Sequence, residues 1–337
     1  MDPLDLGILR ELSRDQVLWF GRLDPRYSAA EMARRLRVDR ATVSSRLHAW
    51  ERQGFLRGHE VVPSPRVFGA RVAGGNLRVV DLRRKPQVLE DLALVPGLVS
   101  AIDHLGPWVA LLYVFETLEG LDRSRRLVAK LAGVGEVTPC MPFRVPEATV
   151  ALNALDWRIL QDLRRAPRRP IGGIARSVRL STKTLARRLA RMIRGRAVWY
   201  LPVLDFGRYT KATATRFIVT LRPNAELTVV SDQITSVIPG LSHLIDPSKV
   251  IDTADPIPSL LDVGAYVDSA AQAEDVQHEL NLLDGVAEVE ILFPRRIHLY
   301  RGWFDEHLEI AAARDLRIRP ASGRNRRALG AVDLGRT

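Results

Sequence analysis

The chain has 337 residues, of which 46% are hydrophobic and 26% are charged, a composition typical of a water-soluble protein with two or three domains. Its formal net charge of +11 indicates an anionic partner, either nucleic acid or an acidic membrane surface. A single cysteine, Cys140, excludes an intrachain disulfide and any site built from several cysteines.

Targeting signals and membrane spans are also missing from the sequence pattern. The N-terminal stretch MDPLDLG contains acids and has no apolar core of the kind that secretory signals carry. The longest apolar run, WVALLYVF at 108–115, is too short to cross a bilayer. We therefore expect a cytoplasmic protein without a membrane partner, in which Cys140 is a buried thiol and not a nucleophile.

Four stretches of the first half recur in the same order in the second half. They are LDLGILREL and LDWRILQDL (from residues 4 and 155), MARRLRVDRATVSSRL and IARSVRLSTKTLARRL (32 and 174), PGL (96 and 239), and GVGEV and GVAEV (133 and 285). The offset between the copies drifts, so they differ by loop insertions. This pattern predicts a tandem duplication of a unit of roughly 150 residues.

Each copy begins with a helical pattern. The apolar residues of the first helix are spaced i, i+4, i+8 and form one stripe: Leu4, Ile8 and Leu12 in copy one, and Leu155, Ile159 and Leu163 in copy two. Ser28 is placed to cap the second helix of copy one, which carries Met32, Ala33 and Leu36.

A third helix follows a short turn in each copy. Asp39 and Ser181 are predicted to cap it, and Gly54 and Gly195 to mark its end. Its predicted inward residues are Val43, Leu47 and Trp50 in copy one, and Leu185, Leu189 and Met192 in copy two. The next stretches, FLRGHEVV and AVWYLPVL, are rich in β-forming residues and predict a strand after each third helix.

The second and third helices together match a helix-turn-helix, whose third helix enters the DNA major groove with its N-terminal side chains near base edges. The free amides at the start of such a helix also favour phosphate. The candidate DNA-binding residues are those on its outer face: Arg40, Thr42, Ser45 and Arg46 in copy one, and Thr182, Lys183, Thr184, Arg187 and Arg188 in copy two.

The second part of each copy has a β-α-β-β-α-β pattern, that of a ferredoxin-like domain. In copy one the stretches are NLRVVDLRR, PQVLEDLALVPG, LVSAIDHLG, WVALLYVFE, EGLDRSRRLVAKLAGV and GEVTPCMPF; in copy two they are TRFIVTL, ELTVVSDQITSVIPG, LSHLID, LLDVGAYVD, AEDVQHELNLLDGV and AEVEILFP. Two helices cover one face of such a sheet. The other face needs cover, and a second sheet of the same kind is the expected partner.

This arrangement resembles the Lrp/AsnC family of transcription regulators. LDLGILREL is similar to the opening helix of the family, and AEMARRLRVDRATVSSRLHAWERQGFLRG to its helix-turn-helix, including Arg46, Gly54 and Gly58. PGLVSAIDHLGPWVALLYV and LAGVGEV are similar to its effector-binding domain. The resemblance extends from Met1 to about Arg301 as two units. It implies an α+β fold with two winged helix-turn-helix and two ferredoxin-like domains in tandem, binding to double-stranded DNA, self-association, and no cofactor or metal.

In the same family, effector amino acids are held near the loop between the second and third strands, where the usual pattern is Gly-x-Tyr-Asp. Copy one has Gly106 and Trp108 in this loop but no acid to pair with an amino group. Copy two has Asp252 and Asp255 but no glycine. These four residues are the effector-loop candidates. A small-molecule effector is compatible with the resemblance, but amino-acid sensing is not carried over.

Two other functions fit the same pattern. Siroheme decarboxylases share the two-part fold and need basic and histidine side chains around a polycarboxylate macrocycle, whereas the seven histidines of this chain share no position between the two copies. The other alternative is an assembly module that does not bind DNA. A gel shift and an absorbance spectrum distinguish the three functions.

The predicted domains are residues 1–62 and 148–205 for the helix-turn-helix units and 63–147 and 206–300 for the ferredoxin-like units. Residues 301–337 form a basic C-terminal extension with one helix and a mobile end. Joining both units in one chain predicts an intrachain pseudo-dimer whose unlike recognition helices read unlike half-sites. The alternative is that copy two is a degraded repeat and that chains pair through copy one.

Overall fold

The computed structural model describes residues 2–13, 29–133, 136–137, 140–167, 169–238, 240–245 and 259–317. The helices are α1 (Pro3–Ser13), α2 (Ala29–Leu36), α3 (Arg40–Gln53), α4 (Lys85–Asp91), α5 (Leu118–Leu131), α6 (Ala154–Arg165), α7 (Ile171–Ser177), α8 (Thr182–Arg194), α9 (Leu227–Val237), α10 (Ala270–Asn281) and α11 (Gly302–Arg317). The strands are β1 (Leu56–Pro63), β2 (Arg71–Arg78), β3 (Leu98–His104), β4 (Trp108–Phe115), β5 (Glu136–Val137), β6 (Met141–Phe143), β7 (Val198–Leu204), β8 (Thr213–Leu221), β9 (Leu241–Ile245), β10 (Leu260–Val267), β11 (Val286–Leu292) and β12 (Pro294–Leu299). The fold is α+β, with a winged helix-turn-helix and antiparallel sheets.

Helices α1, α2 and α3 pack around one apolar core. It contains Ile8 and Leu12 from α1 and the predicted inward residues of α3, with Trp50 edge-on to Phe55 at 5.3 Å between ring centroids. Residues of the second half, Tyr209 and Tyr266 among them, complete this core. Because those rings come from far along the chain, the first helical unit is held by the second half of the protein. Ser28, the predicted cap of α2, lies outside the described residues.

Helices α6, α7 and α8 form the corresponding core of the second unit. Its residues include Ile159, Leu163, Leu185 and Leu189, as the apolar spacing predicted. Val61 and Phe68 of the first half pack into it. Each helical unit thus depends on side chains from the opposite half of the chain.

Strands β1 and β7, which leave the two helical units, pair with each other in an antiparallel ribbon. Leu56 lies opposite Leu204, and Pro63 lies opposite Val198. Helices α3 and α8 are therefore followed by strands that hydrogen-bond to each other. His59 and Tyr200 stack across this ribbon at 5.1 Å between centroids.

The first large sheet has the strand order β12-β3-β4-β2-β5, with β6 also paired to β2. The second has the order β11-β8-β10-β9. Both units of the β-α-β-β-α-β pattern thus have the same strand order. The second strand lies next to the third, the third next to the first, and the first next to the fourth. Helices α4 and α5 cover one face of the first sheet, and α9 and α10 cover one face of the second.

The face of the first sheet opposite α4 and α5 is covered by other parts of the chain. Val72, Leu112 and Val114 pack against Trp199 of the ribbon and Phe304 of α11. Farther along this face, His104 lies close enough to Arg216 and Asp262 of the second sheet for their charges to act on its pKa. The apolar cover of this face comes from the ribbon and α11, which the sequence pattern did not predict.

Two strands differ from the sequence prediction. The first strand of unit one was predicted at 76–84. The observed strand β2 spans Arg71–Arg78 and therefore begins in a stretch that contains Gly74 and Gly75. These glycines obscure the β pattern, yet a Cβ at Gly74 would overlap the Phe143 ring. The second difference is β12, which was not predicted as a strand and which leaves the second unit to pair with β3 of the first.

The structure also bears on the predictions for Cys140, for membrane-spanning helices and for the C-terminal extension. Cys140 is half-buried, and burial raises the pKa of its thiol to about 11, so it is not a thiolate near neutral pH. In the described part of the chain, no helix has both the length and the apolar character required to cross a membrane. The end of the basic extension, 318–337, lies outside the described residues.

Candidate nucleic-acid interface

The turn between the last two helices of each unit has the same backbone geometry. Arg37 and Arg179 occupy equivalent positions, and both have φ of 56°. In each turn the next residue donates a backbone hydrogen bond to a carbonyl five residues earlier, Val38 to Ala33 at 3.0 Å and Leu180 to Ala175 at 2.8 Å. This left-handed residue closes the turn and sets the angle at which α3 and α8 leave it.

Helices α3 and α8, the two predicted recognition helices, differ at their starts. The Ser181 hydroxyl accepts a hydrogen bond from the Thr184 backbone N–H at 3.1 Å, as expected of a cap. Asp39 occupies the predicted cap position of α3, but its side chain makes no capping hydrogen bond, so the position was predicted correctly and the hydrogen bond was not. The Asp39 carboxylate is exposed and accepts no hydrogen bond from the first backbone amides of α3.

The two helices also end differently. Gly54 adopts the left-handed conformation, with φ of 75°, that was predicted for the end of α3. Gly195 does not, because its φ is −80° and Arg196 takes the positive φ instead. Gly195 is required for another reason: a Cβ there would overlap Val150 Cγ1.

A buried carboxylate holds an arginine of each recognition helix. Arg188 Nη1 donates to Asp156 Oδ1 at 2.9 Å, and Arg191 donates to the other oxygen of the same carboxylate. At the matching positions of the first unit, Arg46 Nη1 lies 3.3 Å from Asp5 Oδ1. Both aspartates are fully buried. Arg46 also pairs with the half-exposed Asp2 at 2.6 Å.

The predicted DNA-binding residues fall into two groups. Those exposed on the outer faces are Arg40, Thr42, Ser45, Thr182, Lys183 and Arg187. Those half-buried with partners inside the protein are Arg46, Thr184 and Arg188; the Thr184 hydroxyl oxygen accepts from Ser181 Oγ at 2.9 Å. The second group is less free to meet DNA than the sequence pattern suggested, because the pattern does not show which helix face the first helix covers.

Several exposed basic residues near the same helices were not predicted as contacts. They are Arg34, Arg37 and Arg52 in the first unit, and Arg176, Arg179, Arg194 and Arg196 in the second. Two of them, Arg37 and Arg179, could have been predicted from the sequence, because both copies have an arginine at the same position of the turn. With these side chains included, residues 171–196 carry eight basic and no acidic residues, whereas residues 29–53 carry six basic and three acidic.

The effector-loop candidates are only partly described. Gly106 is exposed with φ of 76°, and the backbone carbonyl of half-buried Trp108 accepts a hydrogen bond from Lys85 Nζ at 3.1 Å. Asp252 and Asp255 lie outside the described residues. The β3–β4 loop is thus held by a buried lysine that also contacts the carbonyls of His104 and Gly106.

Comparison with known proteins identifies one domain and one overall fold. A family model described as winged helix-turn-helix DNA-binding matches residues 152–195, the second helical unit. The structure of the siroheme decarboxylase NirDL matches 93% of this chain and 99% of its own, at 15% identity and a TM-score of 0.52. E. coli AsnC matches 42% of this chain and 91% of its own, at 14% identity and a TM-score of 0.33, and B. subtilis LrpC matches 44% and 95%, at 14% identity and 0.30.

No curated protein sequence matches the chain significantly. At 15% identity, the likeness to NirDL is one of fold alone. The chain therefore contains a winged helix-turn-helix DNA-binding domain at residues 152–195 and shares its overall fold with that decarboxylase.

Proposed function

We propose that the chain is a DNA-binding transcriptional regulator of the Lrp/AsnC type that reads double-stranded DNA with α3 and α8. The observation that carries the proposal is the basic surface of the second helix-turn-helix. Six basic side chains there are exposed: Arg176, Arg179, Lys183, Arg187, Arg194 and Arg196. A surface of one sign on a helix that fits the major groove favours a phosphate backbone as its partner.

The second unit supplies most of the electrostatic attraction in this proposal. Its segment 171–196 has a formal charge of +8, against +3 for segment 29–53 of the first unit. Asp39 at the start of α3 places a negative charge where a phosphate would approach the helix amides. Copy two is therefore the stronger DNA-binding unit and not a degraded repeat.

Base reading and phosphate binding are assigned to different residues. Thr42 and Ser45 of α3 and Thr182 and Lys183 of α8 lie exposed near the helix starts, where side chains reach base edges. The turn arginines, Arg37 and Arg179, lie just before these starts and suit phosphate contacts. Arg46 and Arg188 contact DNA only if they release their carboxylate partners, Asp5 and Asp156.

The two units arose, in this proposal, by tandem duplication and act as an intrachain pseudo-dimer. The antiparallel β1–β7 ribbon and the packing of each helical core on the other half support it. Because the helix starts differ, Arg40-Ala41-Thr42 in α3 and Thr182-Lys183-Thr184 in α8, the two half-sites differ as well. Further association of chains is compatible with this arrangement.

The test is selection of bound sequences from a library of random DNA duplexes with the full-length protein, followed by anisotropy titrations on the selected duplex. We expect one enriched motif and a fall in affinity of about 10³-fold between low and physiological salt. The variant Lys183→Ala/Arg187→Ala should weaken binding by about 10-fold or more. The control Lys130→Ala/Arg222→Ala removes the same charge from exposed positions outside the helix-turn-helix units and should have a much smaller effect.

Two results would contradict the regulator function. One is that no motif is enriched, which favours the assembly module. The other is that the control variant loses as much affinity as the α8 variant, which indicates attraction to charge without a recognition helix.

The second candidate function is a siroheme decarboxylase. The observation that favours it is the whole-chain likeness to NirDL, whose name states that activity. Incubating the protein with siroheme under anaerobic conditions and following loss of carboxylates by mass spectrometry tests it. Of the histidines, His59 and His104 are buried, so a decarboxylase site that needs a histidine at its surface would use others.

A further inference from the structure

A cavity of about 520 Å³ lies where the two halves of the chain meet on the helix side of the first sheet. It exists because α4 and α5 cover the strands of unit one, while β12 extends that sheet by one more strand beyond their reach. The turn Phe206–Arg208, which follows the ribbon, forms the opposite wall. The size is in the range of small-molecule sites.

The inner wall is made of ion pairs that are already satisfied. Lys85 Nζ lies 2.7 Å from Asp103 Oδ1, with both side chains more than nine-tenths buried. Arg296 donates to Asp205 at 2.7 Å from Nη2 and 2.9 Å from Nε. These four charged groups balance one another, so they orient the wall and offer a ligand little net charge.

The rim carries positive charge that is not balanced in the same way. Arg208 is exposed, and no carboxylate among the described residues pairs with it. Arg295, with 56% of its side chain exposed, lies 3.8 Å from Asp103, at the outer limit of an ion pair. Two guanidinium groups that flank a pocket mouth are suited to a carboxylate, which they bind with geometry that an ammonium cannot match.

The remaining wall is apolar. The apolar residues that line it are Leu82, which precedes α4, and Pro86 and Leu89 of α4; Leu82 is 52% exposed although it is a large aliphatic side chain. His298 of β12 lies opposite; burial lowers the pKa of its imidazole, so it is neutral near pH 7 and adds no charge. An apolar group that packs on this leucine would remove apolar surface from water, which stabilises the complex.

We infer that this cavity binds an amphipathic carboxylate, an aromatic or aliphatic acid whose apolar body lies on the leucine wall and whose carboxylate meets Arg208 and Arg295. A polyphosphate fits less well, because Glu90, Asp103 and Asp205 share the pocket with its four basic groups. Such a ligand would touch α4 and β3 of the first half and the 206–208 turn and β12 of the second. It would therefore bridge the two halves just after the β1–β7 ribbon.

The inference goes beyond the proposed DNA binding and is tested without DNA. Isothermal calorimetry on the full chain is run with cinnamate and octanoate, and with cinnamamide and octanamide as neutral ligands of the same apolar body. We expect at least one carboxylate to bind and its amide to bind about 10-fold or more weakly.

Variants locate the site. Arg208→Gln/Arg295→Gln should weaken the carboxylate about 10-fold or more, whereas Arg222→Gln, an exposed arginine far from the cavity, should leave the affinity unchanged. Leu82→Ser tests the apolar wall and should weaken the carboxylate about 3-fold or more. All three altered positions are exposed, so thermal melting should show an unchanged fold.

Three results would overturn the inference. Neither carboxylate binds; or each amide binds as well as its acid; or the double arginine variant binds the carboxylate as tightly as the parent. Loss of DNA binding has no bearing on any of these measurements, so failure of the regulator function and failure of this site are distinguishable.

Discussion

Asp156 and Arg188 join the first helix of the second unit to its recognition helix, with Arg188 Nη1 donating to Asp156 Oδ1 at 2.9 Å. The same carboxylate completes a capping box, because its Oδ2 accepts from the Asn153 backbone N–H at 3.1 Å. Asp5 and Arg46 repeat the ion pair in the first unit. A fully buried carboxylate in each unit therefore fixes the orientation of the helix that is proposed to enter DNA.

Replacing the buried carboxylate tests this coupling. Asp156→Asn should lower the free energy of unfolding by about 1–3 kcal/mol, because the amide cannot accept from Arg188 and Arg191 as the carboxylate does. Urea denaturation measures the change. Asp162→Asn is the control, since Asp162 lies on the same helix but pairs with exposed Arg169; an equal loss in both variants would contradict the special role of Asp156.

The recognition arginines should separate selectivity from stability. If Arg188 exchanges Asp156 for a base, Arg188→Ala should cost about 1–3 kcal/mol in binding to the selected duplex and relax selectivity at one position. Arg46→Ala should do the same in the other half-site. Binding titrations on the selected duplex and on its single-base variants measure this. Unchanged operator binding by both variants, with lower melting temperatures, would assign these arginines a purely structural role.

The pseudo-dimer predicts an asymmetric operator. Two unlike helices on one face of the DNA should protect two unlike half-sites about 34 Å apart, or a multiple of that distance. Hydroxyl-radical footprinting of the selected duplex measures the spacing. A perfect palindrome contacted by α3 alone, together with cross-links between the first sheets of two chains, would instead support pairing between chains through copy one.

Stability should fall in acid through the ribbon histidine. Burial lowers the pKa of His59 from 6.5 to about 4, so the native imidazole is neutral while the unfolded chain binds a proton below pH 6.5. The unfolded state is therefore favoured as pH falls, and about 3 kcal/mol should be lost between pH 6.5 and 4.

The variant His59→Phe keeps a ring against Tyr200 and cannot be protonated, so its stability should depend less on pH across that window. Urea denaturation at pH 7, 5.5 and 4.5 measures the slope. His48→Gln, at an exposed position on α3, is the control and should retain the parent slope. Parallel curves for the parent and His59→Phe would show that the ribbon histidine does not couple to folding.

The end of α8 should be sensitive to a single methyl group. Gly195→Ala places a Cβ against Val150, and overpacking of this kind costs about 1–3 kcal/mol. Val150→Ala in the same chain should recover part of that loss by removing the methyl groups that clash. Thermal melting of the two single variants and the double variant measures the coupling, and simple additivity would contradict a direct clash.

Sequence patterns were sufficient for the helical units and for most strands. The i, i+4, i+8 spacing of Leu155, Ile159 and Leu163 requires one buried face wherever a helix forms, so it predicts the helix and its core side. The recurrence of that spacing in both copies predicts the two helix-turn-helix units. Strand β2 was misplaced because Gly74 is selected by the Phe143 ring across the sheet, a contact that no local propensity reports.

Only the tertiary structure shows which side chains pair across elements and where the cavity between the two halves lies. The sequence predicts that Arg188 lies on α8. Whether its side chain is available to DNA or is paired with Asp156 depends on which face of α8 is covered by α6. The sequence also determined the basic charge of β12, but pairing of that strand with β3 creates the cavity beside Arg295. The physical reason is the same in both cases: helix and strand periodicity are local properties of the chain, whereas ion pairs and cavities depend on contacts between residues on different elements that are distant in sequence.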